Sequence, residues 1–304
     1  MKRFHRGAAL VIAMLLAALA AVVAMSVARG QQQWLAQTSH RSEQVQAQSL
    51  ALAGVQWARQ VLFDDAGRGT LDYIGEPWSI PLPPTPIENG FIQGAIVDAQ
   101  GLLNVNDLGR DGPTGASARS RFELLFDRIG ASRRTLDAIA DWIDTDRQPR
   151  DDGAEDGWYA AQEVPGLAAN ADLVRFAELA AVRGVTPAMV AGLEPFATAL
   201  PSHQPLNVNT ASAGVLAFAV PGLDIGSANA LVASREARPF TSVGDFRARL
   251  PQSVPPFDDT SFSVSSTYFI VNVHAMQGDT HARARALLQR AQGGWPVVVW
   301  QIVE

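Results

Sequence analysis

Apolar residues run from Ala8 to Ala28 with no charge between Arg6 and Arg29, and then thin into a stripe of helical period. Twenty-one apolar or small residues in a helix cover roughly 31 Å, the thickness of a bilayer core. Beyond Arg29 the pattern changes without stopping. Ala47, Leu50, Ala51, Gly54, Val55, Ala58, Val61 and Leu62 recur at three- and four-residue steps, with Gln46, Gln48, Gln56 and Arg59 between them. No proline interrupts Arg29 to Phe63, and the only glycines there are Gly30 and Gly54. The spacing predicts one rod of roughly 85 Å ending near Asp64, apolar all round in its first half and striped in its second.

Residues 64–86 carry glycines at 67, 69 and 75 and prolines at 77, 81, 83, 84 and 86, so they read as an irregular connection. Phe91 to Asp98 alternates towards a strand, Ala99-Gln100-Gly101 turns, and Leu102 to Val105 returns. From Ala116 to about Leu250 the chain reads as helical with caps and breaks. Phe122, Leu125, Phe126 and Ile129 mark one helix, ended by Gly130. Ser132 opens the next, which carries Leu136, Ile139, Ala140 and Ile143. Strand character returns at Phe262–Met276, Ala282–Ala291 and Pro296–Val303. The intervening Gln277-Gly278-Asp279 and Gln292-Gly293-Gly294 are turns, and the three runs make an antiparallel meander.

A lone hairpin makes no stable sheet. The simplest closure is an α+β fold in which both strand groups form one antiparallel sheet against the second half of the long helix, with the helical block inserted. The predicted segments are 1–7, a basic leader; 8–28, the membrane part of the helix; 29–105, the rest of the helix with the first strands; 106–260, the inserted α-helical domain; and 261–304, the closing strands.

Charge sets the topology. Lys2, Arg3 and Arg6 precede the apolar segment, and Lys2 is the only lysine. The positive-inside rule puts the leader in the cytoplasm and the body outside. Three readings of this N-terminus compete. A secretory signal cleaved near Ser26-Val27-Ala28 has a plausible small-residue site, but its apolar core would be too long. A plain signal anchor fits the length and leaves the striped continuation unexplained. A leader ending at Gly7 and removed on the cytoplasmic side fits both.

In this respect the chain resembles the type IV pilin and pseudopilin family. The resemblance implies that a prepilin peptidase cuts between Gly7 and Ala8 and methylates the new amine. Most of that family carry glutamate five residues after the cut, where this chain has Ile12. A carboxylate in the bilayer costs about 2.5–3.5 kcal/mol unless paired. A subunit with no neighbour above it gains nothing from that charge. Ile12 matches the GspK-type branch, the minor pseudopilins of type II secretion, whose pilin fold is interrupted by a large helical domain. The resemblance spans nearly the whole chain. It implies an inner-membrane protein with a periplasmic body at the tip of the pseudopilus, with minor pseudopilins of the I and J types as partners.

The densest chemistry lies between Asp137 and Asp156, where eight acids meet two arginines. Asp141 and Asp144 share a helix face, and the following loop could bring Asp146, Asp151, Glu155 and Asp156 towards them. Converging carboxylates suit Ca²⁺, although the spacing is not that of an EF-hand. Composition alone equally describes a solvated acidic loop, whereas Trp142, Trp158 and Tyr159, which flank the acids, predict a packed segment. The run Asp-Trp-Ile-Asp-x-Asp followed by Gly-Ala-Glu-Asp resembles the GspK-type signature, which implies calcium held by Asp144, Asp146, Glu155 and Asp156, then Asp141 and Asp151. Such a site would staple a body that has no cysteine and therefore no disulfide.

A second motif points to another class. Leu206 to Ala211, Pro221-Gly222-Leu223-Asp224-Ile225-Gly226 and Pro239 to Phe246 resemble a helix-hairpin-helix (SAM-like) unit of the kind found in DNA-uptake receptors. Ser227, Ala228 and Asn229 stand where basic residues would follow the hairpin. Without the leader, 21 arginines face 30 acids, about −9, which disfavours a phosphate backbone. The reading is therefore a packing module with no nucleic-acid partner. The five histidines (5, 40, 203, 274, 281) form no ligand or nucleophile motif, and no enzyme is expected.

Overall fold

The computed structural model describes residues 5–291 and 293–304. Helix α1 (His5–Ala66) is one continuous rod of 62 residues, about 93 Å long. It is long and apolar enough to cross a membrane, and none of its apolar N-terminal window is buried in the body. Its lower stripe behaves differently. Ala47, Ala51, Val55, Ala58 and Leu62 are wholly buried, packed on Ile96, Phe269, Val271, Val273, Ala275, Ala282, Ala284, Ala286 and Leu288.

Those partners line one face of a five-stranded antiparallel sheet, made of β1 (Leu82–Ile87) and β2 (Gly90–Asp98) with three strands from the end of the chain. The chain leaves the sheet after β2. It then forms β3 (Leu103–Asn104), α2 (Gly112–Ile129), α3 (Thr135–Ile143), α4 (Asp156–Ala160), α5 (Pro187–Leu193), β4 (Ala197–Thr198), β5 (Leu206–Asn207), α6 (Ala213–Ala219), α7 (Ile225–Ala237), α8 (Val243–Ala248) and β6 (Phe262–Ser263). It re-enters as β7 (Tyr268–Gln277), β8 (Thr280–Gln289) and β9 (Val297–Val303), giving the order β1-β2-β7-β8-β9. Asp98 pairs with Phe269, so both connections to the insertion leave one end of two neighbouring strands.

Three predictions about the strands are corrected. The run Phe262–Met276 is two elements, of which Phe262–Ser263 pairs in parallel with Leu206–Asn207 and only Tyr268 onward joins the sheet. Leu102–Val105 does not return along β2; Leu103 and Asn104 pair in parallel with Ala197 and Thr198, inside the helical domain. The true hairpin partner is β1, in the stretch expected to be irregular, where Pro86 lies opposite Phe91 and Ile87 opposite Gly90. Prolines 83, 84 and 86 hid it, and they are tolerated because β1 is an edge strand. The helical block is also sparser than expected, with only the five residues of α4 and a 3₁₀ turn, Phe176–Ala181, between α3 and α5.

The helical domain has its own core, running from Leu103 to Phe262 through Phe122, Phe126, Ile139, Leu179, Leu193, Leu216, Phe240 and Phe246. It is built on a short repeat to which hydrophobic periodicity is blind. Leu103-Asn104-Val105-Asn106 recurs as Leu206-Asn207-Val208-Asn209. In each copy the second asparagine bridges to a distant backbone through both functions of its amide. Asn106 Nδ2 donates to the Leu173 carbonyl while Oδ1 accepts its N–H, each at 2.9 Å. Asn209 does the same with Phe240, at 2.9 and 2.8 Å.

A buried polar joint ties this domain to the sheet. Asp98 Oδ2 accepts from Asn207 Nδ2 (2.9 Å), Thr210 Oγ1 (2.6 Å) and Ser266 Oγ (2.6 Å), and Oδ1 accepts from the Gln100 N–H (2.8 Å). Beside it Arg290 spans Asp72 (2.8 Å) and Asp65 (3.0 Å) at the foot of α1. Burial pushes the Asp98 and Asp65 carboxyls up to about 6.

Candidate functional site

Helix α3 stops where Asp144 turns extended, and the chain then doubles back over the helix end. Asp146 Oδ1 accepts the Gln148 N–H at 2.7 Å, a local turn that starts the reversal. The Gly153 N–H closes a second turn on the Arg150 carbonyl at 3.0 Å. Gly153 is required, because a Cβ there would overlap the Asp141 carboxylate. The returning loop is held by Trp142, Trp158 and Tyr159, whose rings meet edge-on at 4.9 Å, and by Arg183, which donates to the Gly153 carbonyl at 2.7 Å. The segment is packed, as its aromatic flanks predict.

One carboxylate oxygen each from Asp144, Asp146 and Glu155 lies within 4.8 Å of the others. Asp141, fully buried, sits behind them, and its oxygens accept from the Arg150 N–H (3.1 Å) and guanidinium (2.6 Å). The same guanidinium nitrogen reaches Asp144 Oδ2. Asp156 is at the rim, accepting the Ala168 N–H at 3.1 Å, and Asp151 is exposed and outside the cluster. The structure thus brings three of the six expected carboxylates together, with Asp141 engaged by an arginine.

What remains is a deficit of positive charge. Asp144 Oδ1 and both Glu155 oxygens are buried without a hydrogen-bond partner, and Glu155 as a whole is only 6% exposed. Burial, then Asp141, Asp144, Asp146 and Asp156, pushes the Glu155 carboxyl up to about 7, and burial also raises Asp144. Hard, unpartnered oxygens aimed into one space fit a divalent cation of the calcium type.

A second carboxylate group, Asp65, Asp72 and Glu76, differs in kind. Arg290 already pairs its two buried members, and Glu76 accepts from the Trp78 indole at 2.8 Å.

The helix-hairpin-helix segment is occupied by its own side chains. Gly222 takes the left-handed turn at φ +74°. The first amides of α7 then face Asp224, whose carboxylate accepts the Ser227 N–H (3.0 Å) and hydroxyl (2.7 Å). An aspartate where a phosphate would sit repels nucleic acid. Arg235 on the same helix is buried and donates to the Val208 carbonyl at 2.6 Å.

On α1, the backbone at Gly7 and Ala8 is already helical and Ile12 is 58% exposed on the apolar half. The first leader residues, 1–4, lie outside the described ones, as does Gln292 of the last predicted turn. Beyond the membrane-length segment, Trp34, Leu35 and Val45 also stand uncovered on the rod.

Comparison with known proteins bears on this architecture. Two sequence profiles of the family described as Type II secretion system (T2SS), protein K match residues 101–202 and 206–265. Type II secretion system protein K of Pseudomonas aeruginosa is 31% identical, over 97% of this chain and 91% of that protein. The protein K of Pectobacterium carotovorum is 30% identical, over 98% and 99%. Among solved structures, the GspK-GspI-GspJ complex of enterotoxigenic Escherichia coli holds a chain that superposes with a TM-score of 0.77. It is 24% identical and is aligned over 88% of this chain and 99% of that one, a likeness of fold.

Proposed function

This chain belongs to the type II secretion system protein K family, and on that footing we infer that it is the minor pseudopilin at the tip of the pseudopilus. It starts a filament that exports folded proteins across the outer membrane. The observation that carries this reading is the single rod α1. One half is bare and apolar, the other is sunk into the sheet, and a wide helical domain is inserted at the sheet's end.

The mechanism is assembly. The apolar half of α1 holds the subunit in the inner membrane, with the leader in the cytoplasm and the body in the periplasm. Prepilin peptidase removes residues 1–7 and methylates Ala8, and the helices of the I- and J-type minor pseudopilins pack beside α1. The related Escherichia coli chain is seen in complex with GspI and GspJ, which supports these two types as partners. Ile12 leaves no carboxylate for a subunit above, and the helical domain blocks that position by its width.

Calcium belongs to the helical domain in this reading. Asp144, Asp146 and Glu155 would hold the ion, with Asp156 at the rim, and the ion would supply the charge that the orphaned oxygens lack. The residues recruit it, and Gly153 and the Trp142–Tyr159 packing keep them in place.

The test is the intact mass of protein extracted from membranes, followed by copurification with the I and J types. Mature protein starting at methylated Ala8 is expected. Material starting near Arg29, or a chain that retains residues 1–7, overturns the reading.

A further inference from the structure

The acidic site already contains a cation of its own. Arg150 reaches it from the returning loop, one-third exposed, and a single guanidinium nitrogen bridges Asp141 and Asp144. Its backbone N–H also donates to Asp141. Among the described residues, the two other arginines at this segment stay off the buried carboxylates Asp141 and Asp144. Arg147 lies 3.8 Å from Asp156 and is 79% exposed, and Arg183 serves the Gly153 carbonyl and the Trp158 ring.

We propose that Arg150 is a resident counter-cation, which lets the helical domain fold without metal and makes its hold on a divalent ion weak and reversible. The proposal rests on the calcium reading of this site. A fully buried carboxylate such as Asp141 must be paired to stay ionised. Arg150 meets that need and half of the need at Asp144, leaving Asp144 Oδ1 and the Glu155 oxygens for one divalent ion. A fixed positive charge sharing a ligand with that ion opposes it through a medium of low dielectric, and weakens binding ~tenfold or more. A site built this way responds to changes in calcium level instead of being saturated once at folding.

The experiment compares the full chain in detergent with Arg150→Gln, using Arg147→Gln as the control for net charge. Thermal midpoints are read in chelator and in saturating calcium, and calcium affinity by calorimetric titration. In chelator Arg150→Gln is expected to melt roughly 10 °C below the parent. Calcium should restore most of that loss and bind ~tenfold more tightly, while Arg147→Gln stays close to the parent. An Arg150→Gln protein that melts with the parent in chelator, or binds calcium no more tightly, overturns the proposal. So does a variant that fails to fold even with calcium present, or an equal effect of Arg147→Gln. If neither parent nor variant binds calcium, the calcium reading itself fails, and the chelator comparison alone decides whether Arg150 is the counter-cation.

Discussion

Replacing Asp98 by asparagine sets two contributions at the polar joint against each other. Four donors converge on this carboxylate, which favours its charge, and its complete burial opposes it; burial wins and the carboxyl rises from 3.8 to about 6. Above pH 6 the folded protein therefore carries an ionised group whose proton it would hold more tightly than the unfolded chain does. Stability from this group is full below 3.8 and is lost as pH rises through 6, a span of roughly 3 kcal/mol. Asparagine is neutral at every pH. Its oxygen can keep the Gln100 N–H, and its amide can donate to the Thr210 and Ser266 hydroxyls. It does turn a donor towards Asn207 Nδ2, at a cost of about 1 kcal/mol. Asp98→Asn should thus be more stable than the parent by ~2 kcal/mol at pH 8 and less stable by ~1 kcal/mol near pH 4. Urea unfolding of both proteins, followed by tryptophan fluorescence, gives the difference at each pH and cancels the other titrating groups. A variant weaker than the parent at pH 8 and equal to it at pH 4 would refute the reasoning, since the donors would then hold the charge more strongly than burial expels it.

Two further outcomes concern the helix–sheet contact and the acidic site. A Cβ at Gly54 would stand 2.6 Å from Val273 Cγ1 and 3.2 Å from Ile92 Cδ1, whereas Gly30 has nothing within 4 Å. Gly54→Leu should lift α1 from the sheet and lose about 2 kcal/mol or more of stability, while Gly30→Leu is tolerated, as paired melting curves would report. Because the Glu155 carboxyl titrates near 7, the rise in midpoint caused by calcium should be larger at pH 8 than at pH 5.5; an equal rise at both would remove Glu155 from the ligand set.

The rod was legible because its two periodicities need no tertiary information: an uncharged run followed by a stripe at helical spacing, whose Ala47, Ala51, Val55, Ala58 and Leu62 are all buried. The meander was legible because Gly278 marks a tight hairpin between alternating strands, and it sits there at φ +57°. Strand β1 was not, since three prolines argue against a ladder until an edge is known to exist. The acidic segment announced its residue types and its packing, while the division of labour depended on one loop reversal. That reversal, fixed by Asp146 and Gly153, delivers Arg150 to Asp141 and leaves Asp151 outside. The polar joint was not legible, because it joins residues far apart in the chain, such as Ser266, whose N–H donates to Asp72 from 194 residues away. The doubled Leu-Asn-Val-Asn was readable and would have marked the two halves of the helical domain.

The exit and re-entry of the insertion at Asp98 and Phe269 fix how load passes through the molecule. A push or pull on the cap moves β2 and β7 together along their own axes, against β1 on one flank and β8 on the other. The ten residue pairs between β7 and β8 then share the strain in parallel instead of opening one by one. Shear along antiparallel ladders is the stiff direction of a sheet, so force passes between α1 and the helical domain with little give.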